Sequence, residues 1–71
     1  MISYKPLWNT LENRGITSRQ LITIYGMSES TVSRLCHNRR TTTKTLNRLC
    51  EYLACDISNV IEYIPDQNEK S

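Results

Sequence analysis

The chain has 71 residues, a formal net charge of +2 and 38% hydrophobic residues, which indicates one small domain. Its apolar runs are much shorter than the roughly 20 residues of a membrane-spanning helix. Its start, MISYKPLW, lacks the basic and apolar regions of a signal peptide. We therefore expect a cytoplasmic protein that makes no membrane contact.

The cysteines are Cys36, Cys50 and Cys55, and an odd number in a chain without a secretion signal argues against a disulfide framework. A zinc site needs four ligands at suitable spacing. The neighbours Cys36 and His37 point in different directions if they share a helix. We predict that the cysteines are small buried side chains and that the protein binds no metal and no cofactor.

Charge is distributed unevenly along the chain. Residues 30–50 contain five cationic side chains and no carboxylate, whereas residues 51–71 contain five carboxylates and one lysine. The basic segment comprises Arg34, Arg39, Arg40, Lys44 and Arg48. A concentrated basic segment favours a polyanionic partner.

The first predicted element is a helix over residues 5–14, where apolar residues recur at helical spacing and Gly15 provides a stop. The sequence TSRQL then predicts a capping box, in which Thr17 and Gln20 exchange hydrogen bonds with each other's backbone. A second, short helix is predicted to follow over residues 18–25.

Gly26 is predicted to end the second helix with a positive φ angle. Ser28 is the predicted N-cap of a third helix over residues 29–36. Val32 and Leu35, three residues apart, mark the side of this helix that faces the core.

The fourth helix is predicted over residues 43–54, because its apolar residues follow the helical i, i+3, i+4, i+7 pattern. Asp56 is a suitable cap for a fifth helix over residues 57–63. Residues 65–71 form a polar tail with little to bury. The sequence therefore predicts an all-α fold, a compact five-helix bundle over residues 1–64.

Two short helices joined by a glycine-containing turn form the helix-turn-helix signature. The stretch GITSRQLITIYGMSESTVSRL resembles the helix-turn-helix of the lambda-repressor-like family, the Cro/repressor or Xre-type DNA-binding domains. Gly26 falls at the turn glycine of that family, and its apolar positions are occupied by Leu21, Met27, Val32 and Leu35. LNRLCEYLACDISNVIEYIPD further resembles the end of small single-domain regulators of this type. Ile22 departs from the small residue that is usual there.

The resemblance implies that the helix over residues 29–36 enters the major groove of double-stranded DNA. Because Val32 and Leu35 face the core, other side chains of this helix are available to bases. The predicted base-reading residues are Glu29, Ser30, Thr31, Ser33 and Arg34, and a backbone phosphate is the alternative partner of Arg34. Glu29 has two open interpretations, since it either stabilises the helix dipole or accepts from a cytosine amino group.

Backbone phosphates are expected to bind at the start of the second helix, at the cap of the third and in the loop after it. The predicted phosphate-binding residues are Thr17, Ser18, Arg19, Gln20, Ser28, His37, Asn38, Arg39, Arg40 and Thr41. Arg48 lies further along the chain and is interpreted as an exposed, solvated side chain.

The resemblance implies a sequence-specific DNA-binding transcriptional regulator, with repression as the expected role. Pairing across a two-fold DNA site is the usual way for such a small module to gain affinity, so a homodimer is expected. Ile61, Tyr63 and Ile64 are the predicted interface residues, with the alternative that they close the core.

Other functional classes are disfavoured to different degrees. The single histidine, His37, has no nearby carboxylate in the sequence and there is no Gly-rich phosphate loop, which argues against an enzyme. No small-molecule ligand is expected. RNA binding lacks aromatic stacking platforms in the basic segment. A protein-interaction module, or an antitoxin-like subunit on the same scaffold, stays open as the alternative function.

Overall fold

The computed structural model describes residues 1–65, and within them it contains four α-helices, one 3₁₀ turn and one two-stranded sheet. The helices follow one another closely, and the two short strands come from opposite ends of the described chain. In order, the elements are β1 (Ile2–Ser3), α1 (Lys5–Asn13), α2 (Ser18–Thr23), α3 (Glu29–Cys36), α4 (Thr43–Leu53), the 3₁₀ turn (Ile57–Asn59) and β2 (Glu62–Tyr63).

The start of α2 has the capping box that the sequence predicts. The hydroxyl of Thr17 accepts the backbone N–H of Gln20 at 3.2 Å, and the Gln20 side chain accepts the backbone N–H of Thr17 at 2.8 Å. These reciprocal bonds satisfy two of the N–H groups that a helix start leaves without partners. Gly15 has the positive φ of 69° that allows the chain to leave α1, so the boundary between α1 and α2 is set by local sequence.

The turn between α2 and α3 also agrees with the sequence. Gly26 has φ of 76°, and the buried Met27 donates its backbone N–H to the Leu21 carbonyl at 3.0 Å. Ser28 caps α3, since its hydroxyl accepts the backbone N–H of Thr31 at 3.2 Å. The predicted helix-turn-helix is confirmed, although α2 ends at Thr23, two residues earlier than expected.

α4 runs over Thr43–Leu53 and ends where Ala54 adopts a left-handed conformation with φ of 49°. Its start is capped by Thr42, whose hydroxyl accepts the backbone N–H of Thr45 at 3.2 Å. Leu49 and Leu53 are buried, one helical turn apart, which fixes the face that α4 presents to the core.

The predicted fifth helix over residues 57–63 is wrong. This segment forms a single 3₁₀ turn and then β2, which pairs antiparallel with β1 so that Ile2 lies opposite Tyr63. Asp56 makes no side-chain cap hydrogen bond. The segment is rich in β-branched residues, which favour extended structure, and the N-terminal strand supplies the backbone hydrogen bonds that a helix would have made internally. The protein is therefore a mostly helical domain with a strand pair, and not a five-helix bundle.

One cluster of buried side chains holds these elements together. Its members come from β1's exit, all four helices, the α2–α3 turn and the 3₁₀ exit: Tyr4, Leu7, Leu11, Leu21, Met27, Val32, Leu35, Leu49, Leu53 and Val60. Ile22 stands where the family that the sequence resembles usually has a small residue. It is half-buried and packs against this cluster. The rings of Tyr25 and Tyr52 stack at a centroid distance of 5.1 Å, which joins the exit of α2 to α4.

The cysteines do not all behave as predicted. Cys50 and Cys55 are half-buried, but Cys36 is exposed at the end of α3 because the buried side of that helix is already filled by Val32 and Leu35. Burial raises the pKa of the Cys50 thiol, and the neighbouring Cys55 and Asp56 raise it further. Among residues 1–65, no three His, Cys, Asp or Glu side chains come together as a metal site.

None of the helices described is both long and apolar enough to cross a membrane. The predicted polar tail begins at Pro65, and its residues 66–71 lie outside the described part of the chain.

Candidate nucleic-acid interface

α3 has one face on the core and one face in solvent. Val32 and Leu35 are buried, and the exposed residues of the helix include Glu29, Ser30, Ser33 and Arg34. Thr31 is half-buried at the boundary between the two faces. Four of the five predicted base-reading residues thus lie exposed on α3, and Thr31 lies at its edge.

The cationic side chains of the basic segment are exposed, and no carboxylate of the described residues neutralises them. Arg34, Arg39, Arg40, Lys44 and Arg48 are all exposed, and none of them forms an ion pair with a carboxylate of residues 1–65. A surface with several uncompensated cations attracts a polyanion over distances of about 10 Å at moderate salt.

The loop after α3 is anchored from the N-terminal segment. The side-chain oxygen of Asn38 accepts the backbone N–H of Tyr4 at 3.0 Å, and the Tyr4 hydroxyl donates to the Arg39 carbonyl at 2.7 Å. Asn38 itself has a positive φ of 56°, a conformation that asparagine tolerates better than most residues. Asn38 therefore holds the loop in place through its oxygen, a role that sequence reasoning missed.

Tyr4 is buried and its pKa is raised by that burial. The hydroxyl is protonated at neutral pH, as tyrosine ordinarily is, and it donates to the loop carbonyl. Because Tyr4 directly follows β1, its hydrogen bonds connect the strand pair to the basic loop. Arg39 and Arg40 extend from a loop that two hydrogen bonds connect to Tyr4, one through the Asn38 side chain and one through the Arg39 carbonyl.

His37 follows α3 and continues its exposed side. Its Nδ1 atom lies 2.9 Å from the Ser33 carbonyl, so Nδ1 carries a proton when this hydrogen bond forms. The outer nitrogen, Nε2, makes no hydrogen bond within residues 1–65 and is the ring atom that faces away from α3's carbonyl groups.

The predicted phosphate-binding residues at the start of α2 fall into two groups. The side chains of Thr17 and Gln20 are occupied by the capping box, whereas Ser18 and Arg19 are exposed and make no side-chain hydrogen bond within residues 1–65. Thr17 and Ser18 also line an open groove together with Cys36. The start of α2 and the end of α3 therefore lie beside each other.

A second pocket lies on the opposite edge of α3, and sequence reasoning missed it. It has a volume of about 210 Å³ and combines residues of the α2–α3 turn, α3 and α4: Gly26, Met27, Ser28, Thr31, Thr45 and Arg48. Arg48 is exposed, as the sequence predicts, and it also lines this pocket. The i, i+3 spacing of Thr45 and Arg48 places them on one helix face, but the sequence alone does not show that this face lies beside Thr31.

The three predicted interface residues lie at the strand pair and its flanks. Tyr63 and Ile64 are exposed, together with Ile2, whereas Ile61 is half-buried and packs against the core. Ile64 also accepts from the N-terminal ammonium group and donates to the Met1 carbonyl at 2.8 Å. Three exposed apolar side chains, Ile2, Tyr63 and Ile64, therefore lie at the strand pair and its flank, and we call these three residues the apolar patch.

A Tyr4→Phe substitution tests the anchoring of the basic loop. It removes the hydrogen bond to Arg39 and leaves the ring in the core, so we expect a loss of about 0.5–1.5 kcal/mol in unfolding free energy. Urea unfolding measures this loss. The matched control is Tyr52→Phe, because the Tyr52 hydroxyl makes no hydrogen bond within residues 1–65 and Tyr52 is not a predicted interface residue; an equal loss in both variants would contradict the anchoring role.

Comparison with known proteins agrees with this geometry. The sequence profile of the Cro/C1-type helix-turn-helix DNA-binding domain matches residues 6–66. The crystal structure of the transcriptional regulator VanUg is similar to this chain, with 35% sequence identity and a TM-score of 0.84 over 92% of this chain and 87% of that one. A search of curated protein sequences found no match. The chain belongs to the Cro/C1-type helix-turn-helix DNA-binding domain family.

Proposed function

We propose that the protein is a sequence-specific regulator of transcription that binds double-stranded DNA as a homodimer and represses by occupying its site. The observation that carries this proposal is the solvent-exposed polar face of α3, followed directly by a basic loop that is held in place by Tyr4 and Asn38. A helix with one face packed on the core and a polar face outside is suited to the major groove. The similarity to a transcriptional regulator supports the regulatory role.

The contacts divide by chemistry. Ser30, Ser33 and Arg34 offer hydrogen-bond donors and acceptors to base edges, and serine can pair with more than one base. Arg39 and Arg40 in the anchored loop bind phosphates, as do the exposed Ser18 and Arg19 at the start of α2. Phosphate contacts fix the register of α3, and α3 supplies the sequence preference.

Titration of a fluorescent random-sequence duplex with the purified protein tests DNA binding itself. If each protomer neutralises about four phosphates, the slope of log affinity against log salt concentration is roughly −7 for a dimer. We therefore expect clear binding at about 50 mM salt and a steep loss by about 200 mM. Absence of binding at low salt with micromolar protein would contradict the proposal and favour the protein-interaction alternative.

Glu29 is exposed at the first position of α3, and its carboxylate makes no hydrogen bond or ion pair with residues 1–65. We propose that it reads a cytosine by accepting from the amino group at N4. A Glu29→Gln variant should then select a different base at one position of each half-site, with a discrimination change of about 1–3 kcal/mol there. Selection from a random duplex library followed by sequencing measures the preference at each position.

Glu51→Gln is the matched control, because Glu51 is also exposed, lies on α4 and makes no side-chain hydrogen bond or ion pair within the described residues. It removes the same charge at a position outside α3. If Glu29→Gln and Glu51→Gln both select the wild-type sequence, Glu29 serves only the helix dipole.

We also propose that the two protomers meet through the apolar patch of Ile2, Tyr63 and Ile64. Ile2 and Tyr63 are directly opposite each other in the antiparallel pair, and such residues share one face of a sheet. Residues with large apolar area that gather at the surface of a small domain mark an interaction site. Dimeric helix-turn-helix proteins bind two half-sites one helical turn apart, and a two-fold pairing through these residues would supply the second copy of α3.

A Tyr63→Asp substitution tests this arrangement, because a carboxylate in a paired apolar surface is left without a partner. We expect wild-type protein to sediment as a dimer at about 100 μM and Tyr63→Asp as a monomer. Ile24→Asp is the control, since Ile24 is 64% exposed and Tyr63 66% exposed, but Ile24 lies at the end of α2. A monomeric wild-type protein, or a dimeric Tyr63→Asp, would refute the interface.

A further inference from the structure

We propose that Arg48, together with the hydroxyl groups of Thr31 and Thr45, binds a DNA backbone phosphate in the pocket between α3 and α4. The inference rests on the proposed DNA-binding function and extends it, because it assigns a phosphate-binding site outside both the loop after α3 and the start of α2. It also gives Thr31 a backbone contact in place of the base contact expected from the sequence.

The position of the pocket is set by helix packing. Thr31 is half-buried on the edge of α3 that faces α4, whereas Ser30, Ser33 and Arg34 lie on the exposed face. The pocket contains Thr31 and Ser28 from the start of α3, and Thr45 and Arg48 from one face of α4. A DNA strand that borders the groove occupied by α3 would therefore pass beside this pocket.

The chemistry of the pocket fits an anion. Its polar lining is one guanidinium group and three hydroxyls, with no carboxylate among the lining residues. Arg48 makes no ion pair or hydrogen bond with residues 1–65, so its donors are available. A guanidinium group binds phosphate oxygens with two parallel hydrogen bonds, which gives both charge and geometry.

The hydroxyl groups of the pocket can also donate hydrogen bonds to an anion. The Ser28 hydroxyl donates to the Thr31 hydroxyl at 2.8 Å, while Ser28 also accepts the backbone N–H of Thr31. Because the Thr31 oxygen acts as the acceptor in that bond, its own hydrogen remains available to a ligand. The Thr45 hydroxyl lies 3.2 Å from the Thr42 hydroxyl, and when Thr42 donates in that bond, the Thr45 hydrogen is available to the pocket.

The test compares Arg48→Gln with wild type and with Arg40→Gln, which removes the same charge from the loop. Each variant is titrated with the duplex that wild-type protein selects from a random library, and then with a set of duplexes in which one phosphate at a time is replaced by an uncharged methylphosphonate. We expect Arg48→Gln to bind roughly tenfold more weakly and to reduce the salt slope by about 1 per protomer. Arg48→Lys, which keeps the charge, should keep the slope.

The methylphosphonate series locates the contact. Replacement of the phosphate that contacts Arg48 should weaken DNA binding by wild type and by Arg40→Gln but not by Arg48→Gln. Replacement of the phosphate that contacts Arg40 should weaken binding by wild type and by Arg48→Gln but not by Arg40→Gln. An Arg48→Gln profile identical to that of wild type, with an unchanged salt slope, overturns the phosphate site while leaving the DNA-binding function intact. If wild-type protein selects and binds no duplex, both the site and the proposed function are overturned. Circular dichroism establishes that each variant is folded.

Discussion

A Leu35→Ala variant will lose about 2–5 kcal/mol of unfolding free energy. Leu35 has no exposed surface and belongs to the cluster that joins α3 to the other helices, so truncation leaves a cavity that a close-packed interior fills only in part. A domain of 71 residues has a total stability of roughly 4–10 kcal/mol. The variant is therefore expected to be largely unfolded at moderate urea concentrations, where wild type is native.

Urea unfolding followed by circular dichroism measures this loss, and Ile24→Ala is its control. Ile24 is apolar but 64% exposed, so its truncation should change the unfolding free energy by less than about 0.5 kcal/mol. Equal midpoints for the two variants would contradict the packing described for α3. The result bears on the proposed function, because Leu35, with Val32, determines which face of α3 is exposed.

Replacing Arg39 and Arg40 together with glutamine will cause the second large effect, on DNA affinity. The two guanidinium groups extend from a loop that is anchored to Tyr4 through the Asn38 side chain and the Arg39 carbonyl, and they have no carboxylate partner within residues 1–65. Each lost phosphate contact removes about 0.9 from the salt slope. A dimer that loses four such contacts should therefore show a slope of roughly −3 to −4 in place of roughly −7.

The affinity at moderate salt should fall by roughly 10²–10³-fold, since hydrogen bonds to charged groups contribute about 1.5–3 kcal/mol each in isolation and less when several are removed together. The control replaces both arginines with lysine, which preserves the charge and loses the bidentate geometry. Its salt slope should stay near the wild-type value. An unchanged slope in the glutamine variant would show that the loop does not contact phosphates.

The four helices could be predicted because their signals are local. The capping box at Thr17, the positive φ at Gly26 and the cap at Ser28 each involve residues that are at most three positions apart. The strand pair could not be predicted in the same way. Its two partners, Ile2 and Tyr63, lie at opposite ends of the described chain, and each strand is only two residues long. The apolar spacing of residues 57–64 also fits a helix, so the local pattern was ambiguous.

The candidate site shows the same division. The exposed face of α3 followed from the positions of Val32 and Leu35, which are buried as expected. The role of Asn38 did not, because its oxygen binds the backbone of Tyr4, 34 positions away. The pocket at Arg48 likewise depends on how α4 packs beside the start of α3. Helical periodicity identifies a face of a helix, but the neighbour of that face is a tertiary property.

The anchoring of the loop also connects the two proposed surfaces. β1 contributes Ile2 to the apolar patch, and Tyr4, two residues later, fixes the loop that carries Arg39 and Arg40. Dimer formation at the strand pair would therefore restrict the segment that holds the basic loop. This arrangement predicts that Tyr63→Asp lowers DNA affinity by more than expected from removing the phosphate and base contacts of one protomer alone.

The central claim is that α3 reads DNA sequence, and selection of bound duplexes from a random library tests it most directly. We predict enrichment of a two-fold symmetric site, with half-site centres about 10 base pairs apart, and a change of preference at one position per half-site in the Glu29→Gln variant. A bound pool that is indistinguishable from the starting library, despite measurable binding at low salt, would contradict the claim and leave only sequence-independent attraction to the phosphate backbone.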